Sequence, residues 1–401
     1  MSWEVKKLSD CCVSIADGDH QAPPKADFGI PFVTISDINV YNQFDFTDTM
    51  FVPREYYDRL DNKRKAQKGD VLYSVVGSFG IPVYMKETVP FVFQRHIAIL
   101  RPNDTILPQF LYYTMLSRDF YMMADAAALG AAQRTVSLTA LRNIRISVPP
   151  MDAQKKIVDT LSAYDTLIEN NQKQIKLLEE AAQRLYKEWF VDLRFPGYED
   201  TSIVDGVPEG WSLSPISDFG EVVTGKTPST EKKEYYGGNI PFVKIPDMHG
   251  CVYPVITESS LTEAGAKTQI NKFIPRNGIM VSCIATVGLV NIAVERCQTN
   301  QQINSIILSD ERDLYYVFSA MKRLKELLEG VGSNGATMTN VNKTKFASLP
   351  VLYPSEELRD SYYSFCKPIF EKIYNLSLSV VGLKKARDRL LPKLMSGEIE
   401  V

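Results

Sequence analysis

Val148-Pro-Pro-Met-Asp-Ala-Gln-Lys-Lys-Ile-Val158 opens the stretch that decides the fold, and Leu185-Tyr-Lys-Glu-Trp-Phe-Val191 closes it. After Pro150 the seam positions run Ile157, Leu161, Tyr164, Ile168, Asn171, Ile175, Leu178, Ala182, Leu185 and Trp189. The steps alternate four and three, the a/d seam of a coiled coil sustained over about four heptads. Asn171 is its one polar position, a residue type that fixes register. A second stripe follows near the C-terminus: Leu358, Tyr362, Phe365, Ile369, Ile373, Leu376, Val380, Leu383, Leu390 and Leu394. Its spacing is less regular, and Pro368 inside it predicts a kink or a late start. Two such stripes most simply pack on each other; otherwise each helix covers its own globular domain.

Outward from the helix, the chain repeats itself. Trp3-Glu-Val-Lys-Lys-Leu-Ser-Asp10 is echoed by Trp211-Ser-Leu-Ser-Pro-Ile-Ser-Asp218. Gly29-Ile-Pro-Phe-Val-Thr-Ile-Ser-Asp37 returns as Asn239-Ile-Pro-Phe-Val-Lys-Ile-Pro-Asp247. Gly69 to Gly77 has a looser partner starting at Gly278, and Gln94 to Leu100 matches Gln302 to Leu308. Order and offset are kept, so a unit filling half the chain is duplicated. Within each unit, β-branched and aromatic runs such as Pro31–Ile35, Val71–Val76 and Ile303–Leu308 read as strands between Gly, Pro and Asn turns. Helical stretches at Gln109–Asp125 and Leu314–Leu328 make each globular part α+β. The expected organisation is a recognition-type domain over 1–150, a central helix over 151–195, a second domain over 196–354 and a C-terminal helix over 355–401. If the helices pair antiparallel, the domains cap opposite ends of a rod. Roughly 36 residues of helix make about 54 Å, holding the domains about 50 Å apart, which is about 15 base pairs of B-DNA.

Composition bounds the function. The chain has 401 residues, 45% hydrophobic and 23% charged, with a net charge of −3. These values are those of globular domains and carry no global basic field. No apolar run reaches the roughly 18–20 residues of a membrane span, and MSWEVKKLSD lacks a secretory core. No membrane contact is expected, and the cytoplasm is the expected compartment. The six cysteines form no Cys-x-x-Cys and the three histidines no His-Glu-x-x-His, so zinc spacing is absent and buried free thiols are expected. Gly220-Glu-Val-Val-Thr-Gly225-Lys-Thr227 fits the P-loop expression. Its Glu-Val-Val-Thr interior, however, is strand-like rather than a loop whose amides curl round phosphate. No credible nuclease carboxylate set is present.

Polar loops are the candidate binding elements. Gly130-Ala-Ala-Gln133-Arg134-Thr135 and Gly332-Ser-Asn334-Gly335-Ala-Thr337 hold equivalent places before the closing proline segment of each unit. Gln, Arg, Asn and Thr can donate and accept at base edges or phosphates; a polar connection without a partner is the plain alternative. Asp19-His-Gln-Ala-Pro-Pro-Lys25 and Gly225-Lys-Thr-Pro-Ser229 pose the same choice.

At this point the residues resemble a family from end to end: the specificity (S, HsdS) subunits of type I restriction–modification enzymes. The marks are Val148 to Val158 entering the central helix, Ile168-Glu-Asn-Asn171 within it and Leu185 to Val191 at its end. Val207-Pro-Glu-Gly-Trp211 and Thr224-Gly-Lys-Thr-Pro228 open the second globular domain. Leu383-Lys-Lys-Ala-Arg-Asp-Arg-Leu-Leu-Pro-Lys-Leu-Met-Ser-Gly-Glu-Ile399 is the most specific. The resemblance implies two mixed α/β target recognition domains, separated by two long helices in an antiparallel coiled coil. Each domain would read one half of a bipartite double-stranded DNA target. The coiled coil would dock modification (adenine methyltransferase) subunits, and a restriction/translocase subunit can accompany them. It also implies a noncatalytic chain with no cofactor of its own; S-adenosylmethionine, ATP and magnesium belong to partner subunits. The second helix entry departs from the pattern, with Leu358 where the first has Gln. Loop position singles out Gln133 and Arg134, then His20, Gln21 and Ser78, as DNA contacts in the first domain. Lys226, Thr286, Gln301, Asn334 and Thr337 are the choices in the second. A coiled-coil scaffold joining two protein-binding domains is the competing reading.

Overall fold

A computed structural model describes residues 3–39, 41–130, 134–330 and 340–400. The chain divides into two units, Met1–Thr166 with Leu383–Val401, and Leu167–Gly382. Each unit therefore owns part of both long helices.

The first unit contains β1 (Glu4–Lys7), β2 (Cys12–Asp17), β3 (Ile30–Val33), β4 (Met50–Val52), β5 (Val71–Ser74), β6 (Pro82–Tyr84), β7 (Val92–Phe93), β8 (Ile97–Pro102) and β9 (Arg145–Val148). Its short helices are α1 (Arg54–Arg59), α2 (Pro108–Leu116), α3 (Arg118–Ala127) and α4 (Leu138–Asn143). The main sheet has the order β2-β8-β5-β6, all antiparallel, beside a smaller sheet β4-β3-β7 and the pair β1-β9. Val71, Tyr73, Ala98 and Leu100 face Phe110, Leu111 and Phe120 of α2 and α3. Leu72, Ile97 and Ile99 point the other way, onto Val33, Phe91 and Phe93. A strand buried on both faces needs no polar alternation, which is why Val71-Leu-Tyr reads as a solid apolar run. The stretch expected as one helix over Gln109–Asp125 is two, because Ser117 adopts an extended conformation and its hydroxyl accepts from Phe120 N as the N-cap of α3.

α5 (Met151–Phe190) carries the chain into the second unit. There follow the hairpin β10 (Ile203–Val204) and β11 (Val207–Pro208), then β12 (Ser212–Pro215), β13 (Gly220–Thr224), β14 (Tyr236–Val243), β15 (Ser259–Leu261), β16 (Ile279–Ser282), β17 (Val290–Ile292), β18 (Gln298–Thr299), β19 (Ile303–Leu308) and β20 (Pro350–Tyr353). The helices are α6 (Ile245–Met248), α7 (Glu263–Lys267), α8 (Leu314–Lys322), α9 (Leu324–Gly330), α10 (Lys343–Ala347) and the terminal α11 (Glu356–Met395). The sheet orders β13-β19-β16-β17, β15-β14-β18 and β12-β20 repeat those of the first unit strand for strand. The duplication seen in sequence is thus a duplication of topology.

The hydrogen bonds correct its register in two places. Gly18 N donates to Ile97 O as Gly225 N does to Ile303 O, so Gln94 matches Asn300 and His96 matches Gln302. The sequence match of Gln94 with Gln302 is slipped by two residues, which keeps every side chain on its face and leaves no trace in the hydrophobic pattern. Likewise Gly69 N donates to Met85 O as Asn277 N does to Ala293 O. Gly69 therefore matches Asn277, not Gly278, and both have positive φ, +93° and +67°.

Both long helices have 40 residues, about 60 Å each. In the second unit Asn171 Nδ2 donates to Ser379 Oγ at 3.0 Å, while Trp189 meets Tyr362 and Phe365. The two segments there run antiparallel. In the first unit, Ile157, Val158 and Leu161 of α5 share a core with Leu391 and Leu394 of α11. Asp165 is bound at 2.7 Å by Arg387 and at 2.6 Å by the Tyr113 hydroxyl. Among the seam positions, Ile168 and Leu376 are buried, while Tyr164, Ile175, Leu178, Leu185, Leu383 and Leu390 are half-buried. The second stripe needs one correction. Phe365 is 59% exposed, and the buried row near Pro368 is Tyr362, Cys366, Phe370 and Ile373. α11 nevertheless starts at Glu356 and continues through Pro368, so the helix has no late start. Tyr362, Phe370 and Ile373 pack in the unit core on either side of the proline, whose nitrogen has no proton to donate.

Candidate nucleic-acid interface

Each recognition-type loop is placed by a glycine. A Cβ on Gly18 would lie 2.1 Å from Phe93 O, and one on Gly225 would lie 2.2 Å from Asn300 O. These close approaches let the chain leaving β2, or β13, run against the segment before β8, or β19. In the first unit Asp19 N donates to Phe93 O at 2.8 Å and Arg95 N to Asp19 O at 2.9 Å. Val75 N then reaches His96 O at 2.8 Å, Val136 N reaches Val75 O at 2.9 Å, and Gly77 N reaches Arg134 O at 3.0 Å. One ladder of backbone hydrogen bonds thus gathers the loops of His20 and Gln21, Arg95, Ser78 and Arg134.

The second unit repeats the ladder. Lys226 N donates to Thr299 O at 3.0 Å, Cys283 N to Gln302 O at 2.8 Å and Val341 N to Cys283 O at 2.8 Å. Lys226, Gln301 and Thr286 are brought together in this way, and Thr227 Oγ1 donates to Gln301 Oε1 at 2.7 Å. The loop of Thr286 turns on Ala285, whose φ of +64° matches +69° at Gly77 in the first unit. His20, Gln21, Ser78, Arg134, Lys226, Thr286 and Gln301 are all exposed. Gln133, Asn334 and Thr337 lie outside the described residues.

Besides Gln301, two of the exposed groups are engaged within the chain. His20 Nε2 lies 2.7 Å from Asp17 Oδ2, and Arg134 lies 2.9 Å from the Asp125 carboxylate and also donates to Asp125 O. A partner anion at Arg134 must compete with Asp125 for the same guanidinium. Asp19, by contrast, is buried and structural: the Tyr56 hydroxyl donates to its carboxylate, which also accepts from Gln21 N. Burial and that carboxylate together raise the Tyr56 phenol to about 12, so it stays a donor. Arg95 was missed by loop-based reasoning. It is exposed and stands where Gln301 stands in the second unit; the two-residue slip in the repeat hid the correspondence.

The P-loop expression falls on β13, whose residues Gly220–Thr224 pair antiparallel with β19. Those amides belong to a sheet ladder rather than to a phosphate cradle. Among the described residues no three His, Cys, Asp or Glu side chains are grouped to hold a metal, and no helix is long and apolar enough to cross a membrane. All six cysteines are free; Cys11, Cys283, Cys297 and Cys366 are buried, while Cys12 and Cys251 are half-buried.

The helix entries explain the Pro-Pro-Met-Asp-Ala-Gln motif. Gln154, 1% exposed, accepts from Leu107 N at 2.8 Å and donates to Pro149 O at 2.9 Å and Thr105 O at 3.2 Å. It therefore ties α5 to the N-cap of α2. In the second unit Leu358 is buried at the matching place, and the next residue does the polar work. Arg359 binds Asp313, the N-cap residue of α8, at 2.6 Å. Burial pushes the Asp313 carboxyl up, against the pull of Arg359.

A duplicated α/β domain with exposed polar loops on one hydrogen-bonded ladder, joined to a paired helix, is the architecture of a sequence-reading chain rather than of an enzyme pocket. The type I restriction modification DNA specificity domain family matches residues 1–180 and again 208–362. A relative from Haemophilus influenzae, the type I restriction enzyme HindI specificity subunit, is 31% identical and covers 84% of this chain and 88% of its own. The MjaIX specificity subunit of Methanocaldococcus jannaschii is 25% identical over 100% of this chain and 94% of its own. The crystal structure of a type I restriction–modification S subunit from M. genitalium has the same fold, with a TM-score of 0.57 at 14% identity, covering 98% and 96% of the two chains. The chain belongs to the family of type I restriction–modification specificity subunits, the noncatalytic DNA-recognition chains of those systems.

Proposed function

We propose that each unit reads one half of a bipartite duplex through its ladder-bound loops. The functional division is then 1–150 and 196–354 for recognition, with 151–195 and 355–401 as the helices on which modification subunits dock. The observation that carries this reading is the recurrence, in both units, of the same backbone ladder beneath chemically different exposed side chains. Arg95 and Arg134 suit guanine or phosphate; Gln21 and Gln301 suit adenine; Lys226 suits phosphate. S-adenosylmethionine, ATP and magnesium are assigned to the partner subunits, a restriction/translocase subunit among them, acting in the cytoplasm. With a net charge of −3, the isolated chain neutralises few phosphates, and tight, salt-sensitive binding belongs to the complex.

The test is to co-express the chain with a cognate modification subunit and map methylated adenines. A two-part motif should appear. Arg134→Ala or Arg95→Ala should relax one half only, by about 1–3 kcal/mol per lost base contact. Equal loss in both halves, or methylation without sequence preference, would overturn the reading.

A further inference from the structure

The second unit has a cleft of about 330 Å³ that the reading loops do not use. Four tyrosines line it. Tyr315 stacks on Tyr363 with centroids 5.3 Å apart, and Tyr253 meets Tyr374 edge-on at 5.3 Å. Tyr315 and Tyr253 are buried, while Tyr363 and Tyr374 are half-buried on α11. Two carboxylates share the lining, Glu311 before α8 and Glu371 on α11. Glu311 is fixed by the Tyr363 hydroxyl at 3.2 Å. After burial, the larger cause, Glu371 helps raise the phenols of Tyr253, Tyr315 and Tyr363. The phenols therefore remain neutral donors with their ring faces intact.

The cleft has no counterpart in the first unit. With Pro150 matched to Pro354, the places of Tyr363, Lys367, Glu371 and Tyr374 fall on Asp159, Ala163, Leu167 and Asn170. It is therefore no part of the duplicated reading machinery. Its chemistry is that of a cation receptor: ring faces carry the negative side of the quadrupole, and carboxylates supply a charge partner. The chain's own cations already sample it. The guanidinium of Arg276 sits 5.8 Å from the Tyr374 centroid, and the Lys367 ammonium sits 5.5 Å from that of Tyr363. A planar guanidinium can both lie flat on a tyrosine and fork its N–H groups to a carboxylate, which an ammonium cannot do together.

We propose that this cleft is a binding site for a guanidinium group, held on the Tyr363 and Tyr374 rings and by Glu371, in competition with the resident Arg276. The full-length chain is titrated with N-acetyl-arginine methylamide, followed by NMR of ring-labelled tyrosine. The isosteric but uncharged N-acetyl-citrulline methylamide is the control. Saturation is expected in the range of about 1–10 mM, corresponding to a weak single-site contact, with citrulline at least tenfold weaker. Glu371 is exposed, so Glu371→Gln should leave folding intact and weaken binding about tenfold. Arg276→Ala should tighten it severalfold by removing the competitor. A Gly-Ser peptide bearing one arginine that binds as well as the blocked amino acid places the occupant on a protein; free arginine that binds more tightly than the blocked form, through its α-amino and carboxylate groups, makes it a small metabolite. Either outcome supports the site. Equal binding of citrulline, no saturable binding, or loss of binding in Arg276→Ala overturns it, the last pointing to an anion. None of these readouts depends on methylation, so failure here and failure of the DNA-reading function are separable.

Discussion

Gly18→Ala and Gly225→Ala should each disable one half of recognition while leaving the other intact. At Gly18 the added Cβ would sit 2.1 Å from Phe93 O and 2.5 Å from Gln94 O, all backbone. Relief to an ordinary contact near 3.4 Å requires about 1 Å of backbone movement, since cores resist such insertion. That movement separates Asp19 N from Phe93 O and strains Gly18 N to Ile97 O, now 2.8 and 3.1 Å. Two weakened hydrogen bonds at about 1 kcal/mol each, with an overpacking cost of about 1–3 kcal/mol, bring the penalty to about 3–5 kcal/mol. Gly382→Ala is the control, because nothing lies within 4 Å of a Cβ there and alanine in a helix interior stabilises by about 0.5–1 kcal/mol. Denaturant unfolding reads the stability, and methylome mapping of the co-expressed complex reads each half-target. If Gly18→Ala keeps its unfolding midpoint and its full two-part motif, the close approach does not position the loop and the reasoning fails.

Asp313→Ala leaves Arg359 buried without its partner and should cost about 3–5 kcal/mol, whereas the double change Asp313→Leu with Arg359→Met should recover most of it; urea unfolding of the two variants and the parent chain decides. Gly69→Asn should be tolerated within about 1 kcal/mol because Asn277 fills the matching left-handed position, and Gly69→Val should cost clearly more; the same midpoints measure both. Asp310 is held below its ordinary value of 3.8, chiefly by hydrogen bonds from Arg312. A lowered folded value stabilises above the ordinary carboxylate range, and that contribution is lost as pH falls through the folded value. Stability followed from pH 6 to pH 2 should therefore fall less steeply in Asp310→Asn than in the parent chain.

What could be read in advance was what depends on period. The helix from Met151 to Phe190 and the doubled unit both leave periodic marks, and both are structural facts. What could not be read depends on position to one or two residues. A two-residue slip hid Arg95 behind Gln94, since β-strand alternation is blind to it. A one-residue slip replaced Asn277 by Gly278 as the partner of Gly69, because two adjacent residues could both serve a turn. Phe365 reads as seam from spacing alone, yet around Pro368 the buried face rotates to Cys366 and Phe370. The pairing of Arg134 with Asp125 joins residues nine apart across a polar loop, and no pattern announces it.

The two units keep their scaffold and change what it presents. Gly18 and Gly225 stand at one matching position, and Gly80 and Gly288 at another with φ of +99° and +95°. Around them Arg95 becomes Gln301 and His20 becomes Thr227. Polar support changes as well, from Gln154 to the Arg359–Asp313 pair, without disturbing the helix entry it serves. Backbone hydrogen bonds set the loop positions, so exposed side chains can vary with little cost to folding. A chain built this way is free to read two unlike half-targets with one architecture. The charge follows the same logic: a net −3 supplies no global basic field, so exchanging one loop cation alters recognition before it alters the general affinity for DNA.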